Sequence, residues 1–297
     1  MRSSSAKLSC VRLAASARRS RCIVHAVAAA TPPGSPPRLL VPASTSLPDS
    51  WEAGTALLID KPQGWTRHVF PSQLGPGCTD SLLDSFDVCA KLRGALQRRK
   101  LKVGHAGTLD PMATGLLILC TGKATHWLDH YQAQEKEYSG TLRLGEGTAS
   151  YDAEIAVSER SDWTQVSCAQ LAAAALTFVG DILQTPPMFS ALKRDGVPLY
   201  KLARQGEVVE RAQRQLHVAR FDVWRDSPTS QDVHFTVVCS KGTYIRSLAH
   251  DLGRALGTHA HLVALRREAI GPHRVADAWQ LQTLTTLINA SRSVVAQ

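Results

Sequence analysis

The hydrophobic pattern from residue 54 onward predicts five strands. Two short continuous apolar runs, residues 55–59 and 116–120, have the length and composition of buried strands. Three longer segments alternate apolar and polar residues, which predicts strands with one buried face. These segments are residues 136–145, 217–224 and 233–239.

Helical spacing appears between these predicted strands. In residues 87–97, Val88, Leu92, Ala95 and Leu96 fall on one face of a helix. Three more helices are predicted over residues 125–134, over residues 166–180, where four alanines follow one another, and after Leu248 up to Leu256. The chain is therefore predicted to contain helices and strands in comparable amounts.

Residues 104–115, Gly-His-Ala-Gly-Thr-Leu-Asp-Pro-Met-Ala-Thr-Gly, form a loop before the second apolar run. Its three glycines allow tight bends and close approach to a ligand, and Pro111 favours an extended Asp110. The spacing fits neither a dinucleotide-binding Gly-rich motif nor a P-loop. The residues alone leave two interpretations open, an ordinary turn or a loop that presents the Asp110 carboxylate for chemistry.

Charge is distributed unevenly along the 297 residues, whose formal net charge is +9. Residues 1–48 contain seven Arg or Lys and no acid, whereas the rest of the chain has 27 basic and 25 acidic residues. Affinity of the folded part for a polyanion must therefore come from local patches such as residues 98–102, Arg-Arg-Lys-Leu-Lys. The seven scattered cysteines form no Cys-x-x-Cys, which indicates reduced thiols rather than disulfides or a zinc site.

The acid-free segment 1–48 has the composition of an organelle transit peptide followed by a Pro-rich linker, and we expect it to be disordered. Its Ser and Ala content favours chloroplast over mitochondrion. If the segment has no targeting role, we expect a cytoplasmic protein. No apolar run approaches the length of a membrane span, so we expect no membrane association.

The loop at residues 104–115 resembles the signature of the TruB family of tRNA pseudouridine synthases. Three further segments are similar to motifs of that family in the same order: Asp-Lys-Pro at 60–62, Cys-Ser-Lys-Gly-Thr-Tyr-Ile-Arg at 239–246, and residues 264–271. The resemblance covers about residues 54–288, the expected catalytic domain, with a tail at 289–297. It implies the α+β pseudouridine synthase fold, a mixed and mostly antiparallel sheet with helices around a central RNA-binding cleft. An insertion, residues 67–84, splits one family motif and is expected to be a surface loop.

The resemblance also implies an active site. Asp110 corresponds to the catalytic aspartate, acting as nucleophile or base, and Arg246 to the arginine that pairs with it. Tyr138 corresponds to the active-site tyrosine that stacks on uracil, Tyr244 supports the uracil face, and His105 fills the space left by the flipped base.

Weaker assignments complete the predicted substrate-binding set. Leu265 is a pocket candidate, and Lys61 lies in the Asp-Lys-Pro motif. Asp152 is kept in a loop, residues 145–154, that carries Ala149 and Ser150 where the family has Asp and Thr. Lys193 and Arg204 lie in basic segments with interleaved aromatic residues, a composition suited to phosphate contact and base stacking. His126 and His130 have the i, i+4 spacing of a metal pair, but no third ligand is evident and a packed surface pair is favoured.

The activity implied by the resemblance is isomerisation of uridine to pseudouridine in the T-arm of tRNA, at position 55. It needs no cofactor and no metal, and we expect a monomer without an obligate protein partner. Three alternatives stay open: a non-catalytic RNA-binding or tRNA-folding protein, an RNA-guided synthase of the dyskerin type, and a nucleotide-binding enzyme. The dyskerin type depends on a PUA domain, for which we expect no room, and the missing nucleotide motifs weigh against the third.

Overall fold

The computed structural model describes residues 34–44, 46–63 and 85–295. The predicted insertion at 67–84 and residues 1–33 of the predicted transit segment lie outside the described residues. The chain divides into two compact units. We call them the Asp110 unit, with the described residues up to Tyr138 and from Leu265 onward, and the Arg246 unit, Ser139–Ala264.

The fold is α+β, with a large, mostly antiparallel sheet and several helices. The strands are β1 (Arg38–Leu40), β2 (Thr55–Lys61), β3 (Val103–His105), β4 (Thr114–Thr121), β5 (Lys136–Leu144), β6 (Glu146–Thr148), β7 (Val157–Arg160), β8 (Gly180–Gln184), β9 (Lys193–Arg194), β10 (Val197–Pro198), β11 (Arg214–Trp224), β12 (Asp232–Cys239), β13 (Ala260–Ile270), β14 (His273–Arg274) and β15 (Trp279–Gln280). The helices are α1 (Ser85–Leu96), α2 (Leu128–Ala133), α3 (Cys168–Leu176), α4 (Leu199–Arg204), α5 (Ile245–Ala255) and α6 (Leu281–Val295).

The Asp110 unit is built on β2 and β4, which pair antiparallel along six residues. Successive side chains of these strands point to opposite faces, and both faces are covered. Leu57, Ile59, Leu117 and Leu119 pack with α1 and α6, whereas the residues between them pack with α2 and the turn before it. Burial on both faces explains why these strands read as continuous apolar runs rather than as alternating patterns.

The Arg246 unit carries the antiparallel strands β8, β11 and β12, in which β11 lies between the other two. Alternate residues of β12 are buried, as the alternating sequence predicts. α3 begins at a capping box in which Ser167 and Gln170 satisfy each other's backbone amides. It ends at Leu176, so the helix predicted over residues 166–180 is shorter than expected.

Regular elements lie outside the predicted domain limits of 54–288 at both ends. Arg38–Leu40 forms a strand that pairs parallel with β2, and Leu40 is buried in the core, so residues 38–40 are not part of a disordered linker. At the other end, α6 continues to Val295, and Arg292 donates a hydrogen bond to the carbonyl of Ala95 in α1. The predicted tail at 289–297 is therefore helical through residue 295. Within the described residues, no helix is long and apolar enough to cross a membrane.

Candidate active site

Asp110 lies on the turn between β3 and β4, which pair antiparallel and fix the two ends of the turn. The side chains around it, Leu109, Met112 and Ala113, are buried, while Asp110 itself is partly exposed. The amide of Ala113 donates to the Asp110 carbonyl over 3.0 Å and closes the turn. A rigid, mostly buried turn thus presents one carboxylate at the surface of the Asp110 unit.

Side chains from distant parts of the sequence hold this turn. The Ser85 hydroxyl, at the start of α1, accepts a hydrogen bond of 2.9 Å from the amide of Leu109. The Lys61 ammonium, at the end of β2, donates to the carbonyls of Pro111 over 3.1 Å and Ala113 over 2.7 Å. The turn is therefore fixed on both sides of Asp110.

Lys61, predicted to contact substrate, lies in the interior of the Asp110 unit. Its side chain is 0% exposed, and its ammonium donates to backbone carbonyls of the Asp110 turn. A buried ammonium needs such acceptors because burial without them would cost free energy. Lys61 therefore supports the turn, and its contact with a substrate stays a prediction.

Gly115, at the start of β4, is one of the three glycines that the sequence singled out, and here the freedom of glycine is required. Its φ is +100°, a region that residues with a Cβ rarely adopt. A Cβ at this position would also overlap the carbonyl oxygen of Arg267, because β13 runs directly beside it. Gly115 therefore allows β4 to approach β13 at the end of the Asp110 turn.

His105 ends β3 and meets an exposed aromatic residue. Its ring lies edge-on to that of Phe86, with centroids 4.8 Å apart and an interplanar angle of 81°. The Phe86 side chain is 64% exposed, although it is a large apolar group. Because aromatic faces stack readily on nucleobases, this pair is suited to meet a base next to the Asp110 turn.

Two further predicted residues of the Asp110 unit are buried apolar or aromatic groups. Tyr138, on β5, is 9% exposed, and Leu265, on β13, is 6% exposed. The hydroxyl of Thr114 donates to the Leu265 carbonyl over 3.4 Å, which ties Leu265 to the residue after the Asp110 turn.

Arg246 occupies the first turn of α5 and is buried. Its guanidinium donates to the carbonyls of Ser150 over 3.1 Å and Phe189 over 3.0 Å, and its Nε lies 3.6 Å from Oδ2 of Asp152. Tyr244, which precedes α5, is held through its backbone, since its amide and carbonyl both bond to the Gln184 side chain. Contacts from several segments therefore fix the guanidinium in one orientation.

Asp152, also predicted to contact substrate, lies in the interior of the Arg246 unit, and its contact with a substrate stays a prediction. It is 2% exposed, and besides its ion pair with Arg246 it accepts hydrogen bonds from the Ser150 hydroxyl and the Glu154 amide. Ser150, which departs from the family pattern, thus retains a hydroxyl that bonds to Asp152. The departure leaves the local network satisfied.

Lys193 and Arg204 lie at the surface of the Arg246 unit, as predicted for phosphate contacts. Lys193 begins a two-stranded hairpin, β9 and β10, whose turn residues Asp195 and Gly196 both have positive φ. Arg204 ends α4, and its guanidinium lies 5.6 Å from the centre of the Tyr200 ring. Their contact with a substrate stays a prediction.

Comparison with known proteins decides the family. The N-terminal domain of TruB family pseudouridylate synthases matches residues 93–245, and the tRNA pseudouridylate synthase B C-terminal domain matches residues 246–294. The chain belongs to the TruB family. The resemblance of its sequence motifs is thereby confirmed, and the chain is a pseudouridine synthase, an isomerase.

Relatives in the TruB family are similar over most of their length. The chain is 44% identical to tRNA pseudouridine synthase B of Opitutus terrae, over 80% of this chain and 89% of the relative. It is 41% identical to the proteins of the same name from Flavobacterium johnsoniae, over 78% of this chain and 94% of the relative, and Chlorobaculum tepidum, over 83% and 95%.

A solved structure agrees with the fold. A chain in the crystal structure of a Cbf5-Nop10-Gar1 complex superimposes with a TM-score of 0.56 at 28% identity, covering 80% of this chain. Our chain spans 54% of the length of that protein. The predicted pseudouridine synthase fold is confirmed.

Described contacts connect only some residues of the predicted TruB site. Within the Asp110 unit it connects the Asp110 turn to Lys61, and within the Arg246 unit it connects Arg246 to Asp152. The pairing of Asp110 with Arg246 stays a prediction. Among the described residues, no group of three His, Cys, Asp or Glu side chains is arranged to hold a metal ion.

Sequence reasoning missed two residues that hold the Asp110 turn, Ser85 and Arg267. Both lie in segments that resemble family motifs, Ser85 in Ser-Phe-Asp-Val at 85–88 and Arg267 in residues 264–271, but the local pattern indicates no role in the turn for either. Their role arises from contacts between segments distant in sequence.

Proposed function

We propose that this TruB-family chain converts uridine 55 in the T-loop of tRNA to pseudouridine. The single observation that carries the proposal is the match of both TruB domains across residues 93–294. Relatives that are 41–44% identical over most of their length bear the name tRNA pseudouridine synthase B. The rigid presentation of Asp110 supports the proposal, because a catalytic group must be held in the geometry that the reaction needs.

The reaction starts with extrusion of the target nucleotide from its stack, which costs a few kcal/mol. His105, with Phe86 against its ring, fills the space that the base leaves and stacks on its former neighbours. The flipped uracil then lies against Tyr138 and Tyr244. Phosphate contacts by Lys193, Arg204 and the exposed basic residues of 98–102 hold the T-arm without reading its bases.

Asp110 then acts on the flipped nucleotide as nucleophile or base. The bond between N1 and C1′ breaks, the uracil turns, and C5 forms the new bond to C1′. The proton on C5 is lost, with Tyr138 as its acceptor, and N1 gains a proton, so that the product is an isomer of the substrate. In this proposal Arg246 takes the role that the family resemblance implies, that of the arginine that pairs with the catalytic aspartate.

We further propose that the acid-free N-terminal segment, within residues 1–48, directs the protein to an organelle, with the chloroplast favoured over the mitochondrion. The support is compositional, an Arg-, Ser- and Ala-rich segment without any acid. The protein acts as a monomer, and its partner is the T-arm of tRNA.

The proposed function is tested by incubating the protein with unmodified tRNA transcripts and mapping pseudouridine along them, with binding measured in parallel. We expect pseudouridine at position 55, and none in a transcript that carries cytidine there. Product at another position would contradict the T-loop assignment. Tight binding to several tRNAs without any product would favour the non-catalytic RNA-binding alternative.

A further inference from the structure

Arg267 is a buried arginine that bonds to both ends of the Asp110 turn. It lies on β13 and is 1% exposed. Its Nε donates to the carbonyl of Leu116 over 2.7 Å, and its Nη2 donates to the carbonyl of Gly107 over 3.1 Å. Gly107 precedes Asp110 by three residues and Leu116 follows it by six. One planar guanidinium therefore spans the two backbone segments between which Asp110 is held.

The backbone of Arg267 strengthens the same connection. In the parallel pairing of β13 with β4, Arg267 lies opposite Gly115, and Gly115 has no room for a Cβ because the Arg267 backbone fills it. The end of the turn is thus packed on the main chain of Arg267 while its start is bonded to the side chain. A change in the Arg267 side chain leaves the first contact in place and removes the second.

Burying the positive charge of Arg267 is unfavourable in free energy. In the part of the chain that the structure describes, Arg267 forms no ion pair within 4.0 Å, and its acceptors are backbone carbonyls. Apolar residues of similar volume commonly replace buried charged groups without loss of stability. An arginine at this position is therefore better explained by its rigid fork, which bonds two carbonyls at fixed positions, than by stability.

We propose that Arg267 is a positioning residue for pseudouridine formation. It holds the Gly107 and Leu116 carbonyls at a fixed separation and thereby sets the direction of the Asp110 carboxylate. It touches neither substrate nor reacting atoms, so its loss affects the chemical step and not RNA binding. This inference rests on the proposed function, in which Asp110 is the catalytic group.

The test compares Arg267→Lys and Arg267→Met with the wild-type chain and with Arg266→Lys. Arg266 is the matched control because it is the neighbouring arginine and its guanidinium bonds to the Asp60 carboxylate over 2.9 and 3.0 Å. It also lies 3.5 Å from the Thr114 hydroxyl, but it does not bond to the two backbone carbonyls that Arg267 holds. We expect the single-turnover rate on a T-arm transcript to fall about 10- to 100-fold in both Arg267 variants. The Kd for the transcript should stay within about twofold, and Arg266→Lys should change neither quantity by more than about twofold.

Chemical rescue separates positioning from a merely structural role. Added guanidinium should raise the rate of Arg267→Ala, which leaves a cavity, and should not raise that of Arg267→Met, whose side chain fills it. Hydrogen exchange of the amides in residues 106–113 should increase in Arg267→Met and stay unchanged in Arg266→Lys.

Three results would overturn the inference. The first is a wild-type rate in the Arg267 variants, and the second is a lowered rate that returns to the wild-type value once it is corrected for the fraction of folded molecules. The third is unchanged hydrogen exchange of the amides in residues 106–113. If the wild-type chain forms no pseudouridine on any RNA, the proposed function fails. The exchange measurement still decides whether Arg267 holds the turn.

Discussion

Arg246 and Asp152 form an ion pair in the interior of the Arg246 unit, with side chains that are only 5% and 3% exposed. The distance between Nε and Oδ2 is 3.6 Å, longer than a charge-assisted hydrogen bond. Asp152 therefore acts on Arg246 mainly through its charge, while the carbonyls of Ser150 and Phe189 accept the hydrogen bonds. This division orients the guanidinium and places a carboxylate charge beside it.

The first prediction concerns Asp152→Asn. The amide keeps the size of the side chain and an acceptor for Ser150 and Glu154, but it removes the carboxylate charge that lies 3.6 Å from the buried Arg246 guanidinium. We expect the free energy of unfolding to fall by about 3 kcal/mol, measured by urea denaturation. Ser150→Ala is the control, since it removes one hydrogen bond and should cost only about 1 kcal/mol. Equal stability of wild type and Asp152→Asn would show that the charge of Asp152 does not stabilise Arg246.

The strands β2, β4, β5, β11 and β12 could be predicted from the sequence because burial on one or both faces leaves a readable pattern. β1 could not, because a strand of three residues is too short to show periodicity and lies in a Pro-rich segment. The sequence analysis predicts neither β13 nor α6, and the hydrogen bond from Arg292 to Ala95 that ties α6 to α1 is not visible in the sequence. Short or terminal elements depend on tertiary contacts that the local pattern does not contain.

The candidate site shows the same difference between residues that a local motif identifies and residues whose role depends on tertiary contacts. Asp110, Tyr138 and Arg246 were predicted because each lies in a specific motif. Lys61 is a substrate candidate because it lies in the Asp-Lys-Pro motif, and the motif does not reveal that β2 carries it into the interior, where two carbonyls accept hydrogen bonds from its ammonium. Sequence identifies residue types, but it does not show whether a charged group faces solvent or the backbone of a neighbouring turn.

The second prediction is that Asp110→Asn abolishes pseudouridine formation and preserves RNA binding. The amide keeps the shape of the side chain and removes the negative charge on which nucleophile or base depends. RNA affinity rests on phosphate and stacking contacts elsewhere, so the Kd for tRNA should change by no more than a few-fold. Rapid-quench assays with excess enzyme measure the rate, and Asp129→Asn, a change on α2, is the control. Turnover near the wild-type rate in Asp110→Asn would exclude Asp110 as the catalytic group.

The third prediction is a pH dependence of stability at Asp232. Hydrogen bonds from the Arg143 guanidinium lower the pKa of the Asp232 carboxyl group in the folded state. Because its pKa is lower in the folded state, the ionised Asp232 stabilises the protein at pH values above its unfolded-state pKa, which is about 4. This contribution is lost as the pH falls through the folded-state pKa. Since both side chains are more than a third exposed, at 40% and 37%, it is worth less than about 1 kcal/mol.

Urea denaturation of wild type and Asp232→Asn at pH 7 and pH 3 measures this contribution. The variant should be less stable than the wild type at pH 7. This difference in stability should shrink at pH 3, where Asp232 becomes protonated, and at high salt, which screens the ion pair. A difference that is the same at both pH values would assign the effect to packing rather than charge.

The fourth prediction concerns the N-terminal segment. A fluorescent reporter fused to residues 1–50 should enter an organelle, because the segment is basic and free of acids up to Asp49. Replacing the six arginines between Arg2 and Arg38 by glutamine should abolish import while leaving length and apolar content unchanged. A reporter that stays in the cytosol or enters the nucleus would contradict the targeting proposal.

The fifth prediction is that the N-terminal segment is cleaved before β1, because Leu40 on β1 is part of the core. Leu40 is 1% exposed and packs in the core with Trp51 and Leu57, whereas its neighbour Leu39 is 36% exposed. Leu40→Ala should therefore lower the free energy of unfolding by about 2–4 kcal/mol, and Leu39→Ala by less than about 0.5 kcal/mol. The two variants remove the same atoms from adjacent positions of one strand, so the comparison isolates burial.

A chain that starts at residue 34 should match the full-length protein in stability, whereas one that starts at residue 49 loses β1 and should be at least as unstable as Leu40→Ala. Mass spectrometry of the protein recovered from the organelle should then show a mature N-terminus before Arg38. A mature N-terminus after Leu40, or equal stability of the two truncated chains, would mean that β1 is dispensable. Other residues would then have to fill the space that Leu40 occupies in the core, because its removal leaves a cavity among its apolar neighbours.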